Sequence, residues 1–219
     1  MSSCYDGHKI VIAIDPGFGG TGVSMLVSGK LYRFTNVKSA SVGDNRYGDI
    51  ASKCARHVLD WINDLRAAAC TKDETYVSVC DIVVESPHAM GGVAGHASLM
   101  RGDVFTVAKL AGAIGVLLLV YITSQCESDH VASIVCVENN GAPVEHCRTK
   151  IRLHFPEVRK WKGQVSKETT QRRVLRDVKY ALDYIKDSHY KLSEKYPDHV
   201  FDAVGLGMWF CENGSEYEN

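Results

Sequence analysis

Three acidic side chains stand where an ionised carboxylate is costly. Asp15 ends the apolar run KIVIAID, Glu85 ends DIVVE, and Asp202 lies in the apolar stretch HVFDAVGLGMWF. Charges at the ends of buried strands need a positive partner, and a divalent cation is the simplest one. His199 precedes Asp202 by three residues, so on a helix both project from one face. Carboxylate oxygens with one imidazole suit magnesium or manganese better than zinc. Two such ions about 3.5–4 Å apart can activate a water and stabilise the leaving oxygen of a phosphodiester. Each acid alone has an ordinary reading as a cap, a turn former or a surface charge. Beside a strongly basic segment, the three argue better for nuclease chemistry.

That segment spans residues 148–179, with eleven Lys or Arg against three acids, a net of +8 in a chain of total charge −1. Segregated charge of this kind is the footprint of a surface for a polyanion, and the acidic remainder limits indiscriminate sticking. A solvated helix face would give the same count. Phe155, Trp161 and Val165 within the segment favour a structured surface over a tail.

Elements must hold these residues in place. Residues 9–15 form a buried strand that halts at Pro16-Gly17. TGVSMLV and KLYRFTN flank the turn pair Ser28-Gly29, so the first three strands make an antiparallel meander. Ile50, Cys54, Val58, Trp61, Ile62 and Leu65 recur at helical spacing over residues 49–69, and residues 81–85 make a fourth strand. After the glycine-rich SPHAMGGVAGH, residues 103–120 form an apolar helix whose Ala108/Gly112 and Ala111/Gly115 pairs allow close approach, mostly by its own sheet. SIVCVE and PVEHC, around Asn139-Asn140-Gly141, supply further strand candidates. Residues 167–190 form an amphipathic helix with Val174, Val178, Leu182 and Ile185 on one face, and the last helix starts near Asp198, an N-cap after Pro197. The expected organisation is an α/β domain over residues 1–211, with an insertion near 121–142 and an acidic tail at 212–219.

With 219 residues, 45% hydrophobic and 23% charged, the chain can bury a core without staples. Collagen-like, disordered and disulfide-stapled classes are excluded. The eight cysteines stand at least ten residues apart, with no CxxC or CxxH pair. Zinc-ribbon and thioredoxin-like readings therefore fail, and buried free thiols in a reducing cytosol are expected. The longest unbroken apolar or glycine run, residues 110–122, has 13 residues, short of the roughly 18–20 of a bilayer span. No membrane association is expected. The polar start MSSCYDGHK lacks a signal-peptide pattern, which points to the cytoplasm.

The order of these features resembles the RNase H-like fold and, within it, the RuvC-type Holliday junction resolvases, particularly phage-encoded members. The likeness rests on IAIDPGFGGTG, on IVVES followed by KLAGAIGVLL, on WKGQVSKETTQRRV and on HVFDAVGLGMWF, and it spans nearly the whole chain. It implies a mixed five-stranded sheet, an antiparallel meander plus parallel strands, flanked by helices. It also implies an endonuclease that uses magnesium, with manganese possible, two ions per site, and cuts four-way and other branched DNA as a homodimer. By position it makes Asp15, Glu85 and Asp202 catalytic metal ligands, with His199 where many relatives have a fourth acid. Lys167 falls where relatives have a basic residue near the scissile phosphate, with Lys162 a second candidate and Arg172 and Arg173 further along the same DNA-binding stretch. His88, after Pro87, stands where relatives often stack an aromatic ring on a junction base. A two-fold dimer would match the two nicks of a junction, with the Gly112/Gly115 helix a candidate surface. The implied setting is a bacterial cytoplasm or a phage-infected cell.

Gly17, Gly19 and Gly22 spell the dinucleotide fingerprint GxGxxG, but a strand-like run follows where a helix is required. An ATP-binding sugar-kinase or actin-like protein opens with the same strand, Asp, Gly and hairpin, yet needs two such domains. The alternative from another class is a non-catalytic module that binds branched DNA. Junction cleavage with and without magnesium separates it from an enzyme.

Overall fold

β1 (Ile10–Asp15) is buried along its whole length. A near-continuous apolar run rich in β-branched residues fits a strand covered on both faces, and β1 is the middle strand of the sheet. The computed structural model describes residues 9–17, 19–40, 45–70, 78–87, 103–127, 149–162, 167–182 and 197–214. β2 (Thr21–Val27) and β3 (Lys30–Val37) complete an antiparallel meander with β1. Ser28 and Gly29 between them have φ of 51° and 76°, as a two-residue hairpin turn of matching twist requires.

Next come α1 (Asn45–Cys70), β4 (Ser78–Val84), α2 (Asp103–Glu127), β5 (Thr149–His154), the one-turn α3 (Val158–Trp161), α4 (Lys167–Leu182) and α5 (Asp198–Asn213). The strand order is β3-β2-β1-β4-β5, with β4 parallel to both β1 and β5. This is the expected mixed five-stranded sheet. Alternation along the strands divides the core between two faces. Ile12, Ile14, Ile82 and Val84 pack with Cys54 and Val58 of α1 and with Ile114 and Leu118 of α2. Val11, Ala13, Leu26 and Val83 pack with Leu206 and Phe210 of α5. α4 lies outside α5, its Val174 joining Leu31, Phe34, Phe201 and Val204.

The fifth strand differs from expectation. It is Thr149–His154, inside the basic segment. SIVCVE and PVEHC lie outside the described residues, as does residue 128 onward of the expected insertion. Arg152 and His154 of β5 do not face outward. Both bond the fully buried Asp81 of β4, Arg152 through two nitrogens at 2.6 and 2.9 Å and His154 at 3.0 Å. Arg152 is thus spent on a partner inside the protein.

α2 continues to Glu127, and its stretch Val104–Ile122 is by length and composition apolar enough to cross a membrane. An unbroken run understates it because Thr106 and Lys109 interrupt the stretch. Leu110, Ile114, Leu118 and Ile122 are nonetheless seated in the core at four-residue intervals, as in a core helix. Of its two small-residue pairs, Ala111/Gly115 faces inward. A Cβ on Gly115 would lie 2.6 Å from the Phe155 ring, whereas Gly112 is open and Ala108 exposed. At α5 the cap position is Pro197, not Asp198. Asp198 is the first helical residue, and its carboxylate accepts from the Gln171 side chain.

Candidate active site

The parallel pairing of β1 and β4 sets two acids side by side. Asp15 is the last residue of β1, and Glu85 follows β4 with its N–H donating to the Ile14 carbonyl at 2.9 Å. α5, which lies on one face of the sheet, brings His199 and Asp202 to these strand ends one turn apart. The His199 ring, through Nδ1, lies 2.7 Å from the Asp15 carboxylate. Two glycines permit the approach: a side chain on Gly22 would collide with the His199 carbonyl, and one on Gly17 with its ring. Two of the three glycines that mimic a dinucleotide fingerprint, Gly17 and Gly22, are clearance for a helix, while Gly19 is open.

α3 closes the site from the other side. Ser86 forms a parallel bridge with Glu157, and its N–H donates to the Pro156 carbonyl at 2.9 Å. That contact carries Trp161 and Lys162 over the acids. The Trp161 indole N–H donates to Glu85 Oε2 at 3.0 Å, and the Lys162 ammonium meets Asp202 Oδ2 at 2.6 Å. Lys162 and Asp202 are both largely buried. Asp202 Oδ1 is buried without a hydrogen-bond partner.

The electrostatics follow from this crowding. Burial, and then the charges of Asp15 and Asp202, push the Glu85 carboxyl up to about 9. Burial and Asp15 also raise Asp202, against the pull of Lys162. The hydrogen bond to Asp15 raises His199 despite its burial. Three ionised acids here would exceed what Lys162 and His199 offset, so Glu85 holds its proton, and a bound cation is what would let all three ionise. The oxygen-rich donor set and the orphaned Asp202 oxygen fit a hard divalent ion. Among the described residues, no group of three or more His, Cys, Asp or Glu side chains is already arranged to hold a metal ion. Lys162 and Trp161 take up the oxygens nearest to them.

Asp15, Glu85, His199, Asp202 and Lys162 are therefore brought together. Arg172 and Arg173 are exposed on α4, which packs against α5. Lys167 is the first residue of α4; its side chain and all of His88 lie outside the described residues. In the sequence, Trp161 stands out only as an aromatic within a basic stretch. An indole next to Lys162, in the motif WKGQVSKETTQRRV, is the signal available there.

No family model matches the sequence, and no curated protein matches it significantly. Among solved structures, the chain is similar to Thermus thermophilus RuvC, at 12% identity over 94% of this chain and 96% of that one, with a TM-score of 0.49. It is similar also to T. thermophilus RuvC in complex with Holliday junction substrate, at 13% identity, 95% and 98% coverage and a TM-score of 0.47. A third is the yeast mitochondrial Holliday junction resolvase Ydc2, at 10% identity, 99% and 86% coverage and a TM-score of 0.44. These are likenesses of fold alone.

Proposed function

We propose that the protein is a divalent-cation-dependent endonuclease that resolves four-way junctions and other branched DNA. The observation that carries this reading is the meeting of Asp15, Glu85, His199 and Asp202 at one buried spot, with acids crowded enough to raise Glu85 and an orphaned carboxylate oxygen. The substrate class rests on the sequence resemblance and on the basic residues beside the acids. In this reading the four side chains hold magnesium or manganese, two ions per site. Bound ions supply the Lewis acidity that activates water and steadies the leaving oxygen. Lys162, Lys167, Arg172 and Arg173 hold the phosphate backbone, and His88 meets a base at the junction.

A homodimer would set two sites about one axis, matching the paired nicks of a two-fold substrate. Exposed Phe105 and Val116 on α2 support such an assembly. Cys54, Cys80 and Cys211 form no disulfide, in keeping with a reducing cytoplasm, bacterial or phage-infected.

The test is single-turnover cleavage of a labelled four-way junction. Paired nicks are expected with magnesium or manganese and none with a chelator. Asp202→Asn keeps the shape of the side chain and removes one charge, so junction binding should persist while cleavage falls about a thousandfold, equivalent to about 4 kcal/mol of transition-state stabilisation. The second reading, a non-catalytic binding module, is favoured by the ion pair that ties Lys162 to Asp202. Tight junction binding with no cutting in either metal would establish it and overturn the nuclease.

A further inference from the structure

Trp161 and Lys162 are consecutive residues bonded to two different acids of the site, yet they are chemically unlike. An ammonium can leave its carboxylate for a phosphate. An indole N–H only donates, carries no charge and cannot itself ligate a cation. Its bond to Glu85 Oε2 leaves Oε1 as the oxygen of that carboxylate free of this donor.

The ring is held from behind as well. α5 presents Gly205 to it, where an added Cβ would lie 3.2 Å from the indole Cζ3 and equally close to Val174 of α4. Glycine at 205 therefore makes the recess into which the indole is set. The bridge between Ser86 and Glu157 fixes the other end of α3 to the strand that carries Glu85. One tryptophan thus keys the metal-binding strand end to the helix that carries Asp202.

We propose that Trp161 is a positioning residue, which orients the Glu85 carboxylate so that one oxygen is presented to a divalent cation. This rests on the nuclease reading and adds to it the residue that sets the coordination mode of Glu85. Hydrogen bonds to ligating carboxylates fix their orientation, and their loss typically costs about ten- to a hundredfold in metal affinity.

Trp161→Phe keeps an aromatic ring against Gly205 and deletes the donor. Calorimetric titration with manganese should show affinity about ten- to a hundredfold weaker than wild type. Junction cleavage should slow at low manganese and recover at saturating manganese. The indole N–H resonance of Trp161 should shift when manganese-free wild-type protein is titrated with magnesium. In the cation-free protein, Glu85→Ala should abolish the exchange protection of that N–H. Wild-type manganese affinity in Trp161→Phe overturns the positioning role, and retained protection in Glu85→Ala overturns the pairing itself. Failure of the nuclease reading looks different: the wild type then binds no manganese and cuts no junction, while the exchange measurement still decides the contact.

Discussion

His199 is where this site departs from an all-carboxylate cage. Its ring is held by Asp15, one turn from Asp202, so an acid at 199 would project to the same place. His199→Asp should keep junction cleavage and move metal preference from manganese toward magnesium, read as single-turnover rates in each metal. Loss of cutting in both would make the imidazole indispensable. Glu85 gives a pH signature. Its carboxyl is raised from 4.5 to about 9 by burial and its acidic neighbours, so the folded chain keeps a proton that the unfolded chain releases. The resulting stabilisation is complete below the unfolded value and drains away as pH rises toward the folded one. The urea midpoint of cation-free protein should therefore fall between pH 5 and pH 9, and Glu85→Gln should flatten that fall. An equal fall in both proteins would assign it to other groups. The acids are legible in sequence because each closes or interrupts an apolar run. Trp161 is not, because a neutral donor leaves no charge pattern and a one-turn helix has no period.

Among the elements, β5 shows where local reading loses to tertiary partners. TKIRLH alternates basic and apolar residues as a strand should, but its charges count toward a surface when only the sequence is read. Their partner, Asp81, lies 71 residues away from Arg152, and no window along the chain contains both. Burial opposes ionisation of Asp81, yet the bonds from His154 and Arg152 prevail and hold its carboxyl below the usual range. Stability from this group is therefore present above its ordinary value of 3.8 and lost as pH falls through the lowered one. Asp81→Asn should cost about 3 kcal/mol, by removing the buried charge that Arg152 and His154 bond, and should soften acid unfolding; calorimetry at neutral and acid pH measures both. An unchanged melting temperature would reduce the network to decoration. The meander, by contrast, is legible because its apolar runs and the Ser28-Gly29 turn are local properties; the irregular register between Met25 and Leu26 is not.

At the scale of the molecule, the basic surface and the assembly are what remain to be measured. Neutralising Lys162, Lys167, Arg172 and Arg173 should weaken junction binding, and for every phosphate no longer neutralised the slope of log K against log salt should drop by about 0.9. An unchanged slope would make the segment a solvated face. The site itself joins distant parts of the chain, with His199 and Asp15 separated by 184 positions. α5 also covers the sheet face formed by Val11, Ala13, Leu26 and Val83. During synthesis the strand ends bearing Asp15 and Glu85 emerge well before that helix, and N-terminal parts generally fold first. A growing chain thus holds half a cage over an uncovered sheet until residues 198–213 leave the ribosome. Closure of the core and completion of the acid cluster are then a single late event, so on the nuclease reading proposed above no ribosome-bound intermediate lacking α5 would be armed to cut DNA.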